Sequence, residues 1–524
     1  MNPFIDSSFS WPRAFEQRVA AAPDAVAVVF ESQTLTYSEL QVRANRIARI
    51  LLPHNATRDS VVAIYLERGP DVLTCVVGAL KAGVAYLPLD VSYPLSRVCC
   101  MLREAIPAAI VTRTAHIKSL DSALAEAHLT QIPVVDIAAV SHCSDATDPH
   151  VEPADSDLAY VIYTSGSSGA PKGAMIERWG MFNHLKAKLD LLELRSSDAV
   201  GQNASHCFDI SVWQMLAPLA VGACVHIIQD RVACDARSLT RYVEERGVTV
   251  LEVVPSVLRA MLYYISSRKP GLIRFTNLRW LLSTGEPLTP DMCRYWLQHF
   301  PAIPLVNAYG PTECSDDVAH HVICAKPPPE CRRIPIGRPI PGVDFYVLRE
   351  GCNPLEQCES GEIGELYVGG AAVGRGYLNN PSSTAAAFVR DALGAKYPKR
   401  LYRTGDLVRE IADGGYEYHG RIDRQIKIRG LRIELQEIEA VLCSHPSVRE
   451  CAVVAFNADD GDESATTILV AYLVLDKPVR SEDISALAAE FLPACMIPAT
   501  IVFLPSLPLT SNGKIDVAHL MRAR

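Results

Sequence analysis

The eleven residues Tyr163-Thr164-Ser165-Gly166-Ser167-Ser168-Gly169-Ala170-Pro171-Lys172-Gly173 concentrate hydroxyls, glycines and one lysine directly after an apolar run, Leu158 to Ile162. Glycines let a backbone turn tightly and approach a ligand closely. Bared amides, hydroxyls and a cation suit a phosphate chain. The stretch is not a Walker A loop, because Pro171 stands where that spacing needs glycine before lysine. A second lysine on a glycine turn, Lys514, lies near the other end of the chain in Ser511-Asn512-Gly513-Lys514-Ile515-Asp516.

These residues have to be positioned by an α/β scaffold. Strand candidates are Val26–Phe30, Val61–Tyr65, Ala108–Val111, Leu158–Tyr163, Cys224–Ile228, Val248–Val254, Trp280–Ser283 and Leu305–Tyr309. Amphipathic helical stretches such as Ser38–Leu51, Asp71–Lys81 and Arg237–Arg246 alternate with them, which predicts largely parallel sheets covered by helices. From about Gly364 the pattern becomes more β-rich. A boundary is expected at Gly420-Arg421-Ile422-Asp423-Arg424, giving units 1–420 and 421–524. The second reads as a small α+β domain: strands at Gln425–Arg429, Cys451–Phe456, Ile468–Leu475 and Thr500–Leu504, helices at Leu435–Ser444 and Ser481–Phe491.

Composition fits a large soluble enzyme: 524 residues, 49% hydrophobic, 21% charged, net charge −9. No basic run suggests nucleic acid. The 16 cysteines include no CxxC pair and read as reduced thiols of a cytoplasmic protein. Met1 to Ser10 lacks the basic and apolar regions of a secretory leader. Val72 to Leu89 is interrupted by Lys81 and Pro88, so no membrane span is expected there.

The motifs in order resemble the adenylation domains of nonribosomal peptide synthetases, within the adenylate-forming superfamily of acyl-CoA synthetases and luciferases. The likeness runs from Leu35-Thr36-Tyr37-Ser38-Glu39-Leu40 through Leu80-Lys81-Ala82-Gly83, the glycine-rich loop, Phe208-Asp209-Ile210-Ser211 and Asn307-Ala308-Tyr309-Gly310-Pro311-Thr312-Glu313. It continues through Gly374-Arg375-Gly376-Tyr377-Leu378, Tyr402-Arg403-Thr404-Gly405-Asp406-Leu407, Gly420-Arg421-Ile422-Asp423 and Arg432-Ile433-Glu434-Leu435 to Asn512-Gly513-Lys514-Ile515-Asp516. Ser168 replaces a usual threonine, and Gln436 a usual glycine. The resemblance implies a large N-terminal domain of mixed and parallel sheets with a distorted β-barrel-like part, and a small mobile α+β C-terminal lid hinged at Asp423.

It also implies roles. ATP and Mg2+ would be the cofactors. Thr164, Ser165, Gly166, Ser167, Ser168, Gly169 and Lys172 would face phosphates. Lys514 would bridge the substrate carboxylate and the phosphate, and Glu313 would be the magnesium-linked carboxylate. Tyr309 would stack on adenine, with Asn307 at its edge and Thr312 beside Glu313. Asp406 would accept from the ribose hydroxyls, with Tyr418 and Arg421 as further ribose and phosphate contacts. Lys427 is expected to swing in while Lys514 swings out, so that the acyl group passes to the phosphopantetheine thiol of a peptidyl carrier protein. Some members also need a small helper of the MbtH-like type.

By motif spacing the amino-acid pocket is lined by Asp209, Ile210, Trp213, Glu252, Leu282, Thr284, Ala308, Asp316, Asp317 and Lys514. Asp209 would pair with the substrate α-ammonium, which argues for an amino acid over a fatty or aryl acid. Glu252, Asp316 and Asp317 are three further carboxylates. Burying them unpartnered is costly, so a basic substrate is expected. Bulky Trp213 shortens the pocket, ranking 2,4-diaminobutyrate before ornithine, then lysine or arginine. No condensation signature and no carrier signature after Asp516 is present. The chain therefore reads as either a free-standing activating enzyme or a domain of a larger synthetase. The alternatives are an acyl-CoA ligase for a small acid, and a catalytically inactive nucleotide- or amino-acid-binding module.

Overall fold

A computed structural model describes residues 9–54, 59–166, 169–269, 271–349, 351, 356–390, 400–457, 467–509 and 515–522. Two large twisted sheets carry the body of the chain. One has nine strands in the order Arg338–Pro339, Ala319–Ile323, Leu305–Tyr309, Trp280–Ser283, Val250–Val253, Ala199–Gln202, Cys224–Ile227, Val26–Phe30 and Gln33–Thr36. The other has seven, ordered Gly376–Tyr377, Lys172–Glu177, Leu158–Thr164, Ala85–Leu89, Val61–Tyr65, Ala109–Thr112 and Val134–Asp136. Pairings inside each sheet are parallel; both edges of the nine-stranded sheet and the Gly376–Tyr377 edge of the seven-stranded one are antiparallel, while its Val134–Asp136 edge is parallel. That is the arrangement expected when crossover helices cover both faces.

Helices fill the space between the two sheets. Pro70–Lys81 is buried at every residue from Val72 to Lys81, which explains its nearly unbroken apolar run. It packs on Tyr37–Leu51 so closely that a β-carbon on Gly78 would lie 2.4 Å from Ile47. Lys81 inside this helix is tolerated because its ammonium group meets Glu16 at 2.9 Å and also Asp148. One apolar cluster joins Val62, Tyr86 and Tyr160 of the seven-stranded sheet to Val28, Val200, Leu282 and Val306 of the nine-stranded one.

The region expected to be barrel-like is an open sheet. Val343–Leu348, Ile363–Gly370, Arg400–Glu410 and Phe388–Arg390 pair in series, and Tyr416–Arg421 adds to Arg400–Glu410. A closed barrel needs the two edge strands to meet, and among the described residues Val343–Leu348 and Phe388–Arg390 do not pair.

Beyond residue 425 come the hairpin Ile426–Ile428/Leu431–Ile433, the helix Leu435–Cys443, the sheet Val448–Asn457/Thr467–Leu475/Thr500–Phe503 and the helix Ser481–Phe491. Both apolar clusters here draw only on residues from 426 onward. No helix among the described residues is long and apolar enough to cross a membrane. The described cysteines form no disulfide.

Candidate active site

Glu252, Thr284 and Tyr309 stand at or just beyond the carboxyl ends of parallel strands of the nine-stranded sheet, the usual ligand position in open α/β sheets. Asp209 caps the helix Ile210–Val221, accepting from the Ile210 amide at 2.9 Å, and its second oxygen accepts from Thr312 Oγ1 at 2.5 Å. Burial raises its pKa against the pull of these two bonds. Ile210 follows it, half-buried and packed against the main apolar cluster.

Several of the remaining expected residues meet one another. Trp213, one turn into that helix, donates from Nε1 to Glu252 Oε2 at 2.6 Å. Glu252 comes from Val250–Val253, Leu282 and Thr284 from the end of Trp280–Ser283, and Ala308 from Leu305–Tyr309. Thr284 Oγ1 donates to Asp317 Oδ1 at 3.4 Å. Asp316 and Asp317 are both buried, so neither faces solvent. They follow a tight turn in which a β-carbon on Gly310 would lie 1.8 Å from the Asp316 carbonyl oxygen. Asp316 itself holds φ at +81°, a conformation that aspartate tolerates better than most residues and that clusters at functional positions.

One premise of the sequence reading is overturned. The carboxylates are not left without a cationic neighbour, because Lys188 of the helix Arg178–Leu192 stands among them with no exposed surface. Its Nζ lies 2.5 Å from Asp317, 3.6 Å from Glu252 and 4.8 Å from the centre of the Trp213 ring. Burial lowers the Lys188 pKa, but Asp317, Glu252 and Asp316 more than reverse this, so it stays charged. Burial raises Asp317, yet Lys188 and His320 hold it well below the carboxylate range. Burial pushes Glu252 up to about 7, against Lys188 and with Asp317. Burial, then Asp317 and Asp209, drives Asp316 well above its ordinary value. His184, one turn before Lys188, has its Nε2 3.4 Å from Asp316 and is pushed down to about 3 by burial, hence neutral. His184, Asp316 and Asp317 could ligate a cation, with donor atoms within 4.8 Å of one another, but the Lys188 ammonium already supplies that charge.

The nucleotide-side residues form a second group. Tyr309 Oη donates to Asp406 Oδ2 at 2.5 Å, and Arg421 Nη1 to Asp406 Oδ1 at 2.5 Å. Tyr309 and Tyr418 pack on the same apolar cluster. Asn307 Nδ2 donates to the Pro335 carbonyl at 2.7 Å, which fixes the amide from below. Arg421 also clasps Asp423 at 2.7 and 2.8 Å.

The glycine-rich loop closes on a turn where a β-carbon at Gly166 would lie 1.8 Å from the Ala170 carbonyl oxygen. Its Thr164 Oγ1 reaches the Lys172 carbonyl at 3.5 Å, Gly169 takes φ +86°, and Lys172 Nζ sits 5.5 Å from the Tyr377 ring. Ser167, Ser168 and Lys514 lie outside the described residues.

Partners unforeseen from sequence meet this loop and Glu313. Ser165 Oγ donates to the Arg432 carbonyl at 2.7 Å and accepts from the Glu434 amide at 3.2 Å. The Gly166 amide donates to Glu437 at 3.1 Å, and Glu437 in turn is held by Arg97 at 2.6 Å. Arg432 Nη1 reaches both oxygens of fully buried Glu313 at 2.8 and 2.7 Å, and Tyr377 Oη donates to it at 2.6 Å. Burial alone would raise Glu313; Arg432 and Tyr377 hold it below the ordinary value. Lys427, exposed on the hairpin, lies within electrostatic reach of Asp406 and Asp209.

Signals for some of these existed. Met181, Leu185, Lys188 and Leu192 fall on one helical face, so a lysine stands where the apolar stripe requires a buried residue. Arg432 and Glu437 carry no such signature, because their partners come from distant segments.

The profile of the AMP-binding enzyme family matches residues 15–378, and that of the AMP-binding enzyme C-terminal domain matches residues 437–514. The dimodular nonribosomal peptide synthase of Bacillus subtilis (strain 168) is 37% identical over 515 residues, covering 96% of this chain and 21% of that protein. Gramicidin S synthase 1 of Brevibacillus brevis is 34% identical over 506 residues, covering 97% and 44%. The chain thus spans less than half the length of either relative. Among solved structures, a four-domain nonribosomal peptide synthetase bound to AMP and glycine is 28% identical with a TM-score of 0.67, covering 97% of this chain and 36% of that one. A family profile over most of the chain settles its membership: the chain belongs to the AMP-binding enzyme family and is an AMP-forming adenylation domain of the nonribosomal peptide synthetase type.

Proposed function

We propose that this domain activates an amino acid with a short basic side chain and passes it to a carrier-bound thiol. A substrate carboxylate oxygen attacks the α-phosphorus of ATP, the bond to the β,γ-phosphates breaks, and pyrophosphate leaves. The phosphopantetheine sulfur of a peptidyl carrier protein then attacks the acyl carbon, and AMP departs. Such chemistry asks the protein mainly for positioning and charge stabilisation. The bound AMP and glycine of the four-domain relative support this reading.

Asp209 holds the α-ammonium, exchanging its Thr312 bond for the substrate. Asp406 accepts from the ribose hydroxyls beside Tyr309 and Tyr418, with Arg421 as its counter-charge. Asn307 borders the adenine. Thr164 to Lys172 receive the phosphates, and Lys514 draws the carboxylate to the phosphorus. Glu313 has the hard oxygen donors that Mg2+ prefers, and Mg2+ when bound supplies phosphate charge neutralisation. Arg432 has to leave Glu313 first, which couples the metal to movement of the C-terminal unit. The domain division near Asp423, a cytoplasmic location and an MbtH-like helper belong to the same proposal.

The observation that carries the basic substrate is the charge count. Among the described residues four buried or half-buried carboxylates, Asp209, Glu252, Asp316 and Asp317, enclose a single buried ammonium, that of Lys188, with the exposed Lys427 acting on Asp209 from the hairpin. In the free pocket protons on Asp316 and Glu252 make up the difference; a cationic side chain would replace them. ATP–pyrophosphate exchange across the proteinogenic amino acids plus 2,4-diaminobutyrate and ornithine tests this. Exchange is expected with basic amino acids and lost in Lys514→Ala. Leucine or phenylalanine as best substrate discards the basic pocket, and absence of exchange with every amino acid discards activation.

A further inference from the structure

We infer that Lys188 sets the depth of the substrate pocket: its ammonium group occupies the place of a substrate cation at Asp317 and Glu252, and confines acceptable side chains to those short enough to end at Asp316 and His184. This rests on the amino-acid-activating reading and assigns specificity to a helix, Arg178–Leu192, that contributes none of the lining residues expected from motif spacing.

Three observations carry it. Lys188 is completely enclosed, with Asp317 at 2.5 Å, Glu252 at 3.6 Å and the Trp213 ring at 4.8 Å. An ammonium on the face of an indole between two carboxylates is the environment that a bound lysine or ornithine tail would itself seek. Second, the charges near Lys188 are bonded into the fold: Trp213 and Thr284 hold Glu252 and Asp317. Third, three polar atoms away from Lys188 are unused. Asp316 Oδ2 and both ring nitrogens of His184 are buried without a hydrogen bond among the described residues, whereas Glu252 Oε1 and Lys188 Nζ, also without one, face each other at 3.6 Å. Buried polar atoms are rarely left so, and this set is where a ligand's donor group fits. The lysine thus fills the deep subsite and leaves the shallow one to the substrate.

The test compares wild type with Lys188→Met, a side chain of similar length without charge, by pyrophosphate exchange on 2,4-diaminobutyrate, ornithine, lysine, glutamine and leucine. The expected result is a re-ranking. The kcat/KM of lysine relative to 2,4-diaminobutyrate rises at least tenfold, mostly through KM, because the longer ammonium enters the vacated place. A purely structural role would lower all substrates by one factor, and unchanged ratios overturn the proposal. Should Lys188→Met fail to fold, the Lys188→Met/Asp317→Asn double variant, which removes both members of the ion pair, decides by the same ratios. If wild type prefers a neutral amino acid, the basic-substrate reading falls. Lys188 is then judged on whether its removal shifts preference toward longer side chains within the set that wild type accepts; no shift overturns it.

Discussion

At the scale of single residues the pocket is an exercise in charge compensation. Four carboxylates crowd one site, and only Asp317 is held well below the carboxylate range, by Lys188 and His320. Glu252, raised to about 7 mainly by burial, is the group that titrates in the working range. In the free enzyme the folded chain keeps a proton that the unfolded one, with an ordinary value of 4.5, has released. Glu252 therefore costs stability progressively as pH climbs from about 4.5 through 7. Substrate binding has the opposite sign. A cationic side chain ending at Asp316, which interacts electrostatically with Glu252, favours the ionised form of Glu252, so its binding expels a proton and strengthens as pH rises toward 7. KM for the basic substrate should fall with rising pH, by up to about tenfold per unit below 7. Glu252→Gln should flatten that profile while a neutral substrate analogue shows none of it. Equal pH profiles for wild type and Glu252→Gln would remove Glu252 from substrate recognition.

At the scale of elements, the hairpin Ile426–Ile428/Leu431–Ile433 does more than a two-stranded ribbon could do alone. It is seated in the body of the protein by polar contacts at both ends. Gly430 N donates to Glu286 at 2.8 Å at the tip, and Arg432 grips Glu313 near the base. Gly430 holds φ at +75°, and a β-carbon there would lie 2.3 Å from Val254 Cγ1. Gly430→Ala therefore meets both backbone strain and a clash, together about 1–3 kcal/mol against this docked arrangement. If the docked hairpin serves thiol transfer, as Lys427 near Asp209 and Asp406 suggests by resemblance, the variant should lose about 5- to 100-fold in carrier loading while pyrophosphate exchange stays within a factor of a few. A matching loss in both half-reactions would detach the hairpin from transfer. Elements of this kind were legible as a strand pattern, but their seat was not. Helices and strands such as Pro70–Lys81 and Trp280–Ser283 follow from apolar periodicity, which is local. Motif spacing named Asp209, Trp213, Glu252, Thr284, Asp316 and Asp317, which the fold joins by Trp213–Glu252, Thr284–Asp317 and Thr312–Asp209 bonds; their role as a substrate lining belongs to the proposal. The partners Lys188, Arg432 and Glu437 are set by which distant segments meet, and no local pattern encodes that. The barrel-like expectation failed for the same reason, since closure depends on edge strands far apart in sequence.

At the scale of the whole molecule, the division of the core decides what can move. The apolar clusters of the C-terminal unit use residues from 426 onward, and those of the body use residues up to 418. Between them run charged and polar contacts: Arg97 to Glu437, Gly166 to Glu437, Ser165 to the Arg432 and Glu434 backbone, and Arg432 to Glu313. When two surfaces joined in this way separate, the freed charges can find water, ATP phosphates or metal. Glu437 now takes the Gly166 amide, an anion at the loop expected to hold phosphates, so ATP and Glu437 compete for one donor. Nucleotide binding should consequently drive the unit away from the loop. The chain crosses between the two sets of clusters at Arg421–Asp423, a clasp of two short bonds, and the proposed pivot falls there. Proline at 423 fixes φ near −65° and removes this carboxylate, whereas alanine removes the carboxylate only. Asp423→Pro should therefore slow carrier loading at least tenfold, with pyrophosphate exchange reduced far less, and Asp423→Ala should lie between it and wild type. Equal loss of both half-reactions in Asp423→Pro, or equal defects in the two variants, would mean that backbone rotation at 423 is not what links activation to transfer.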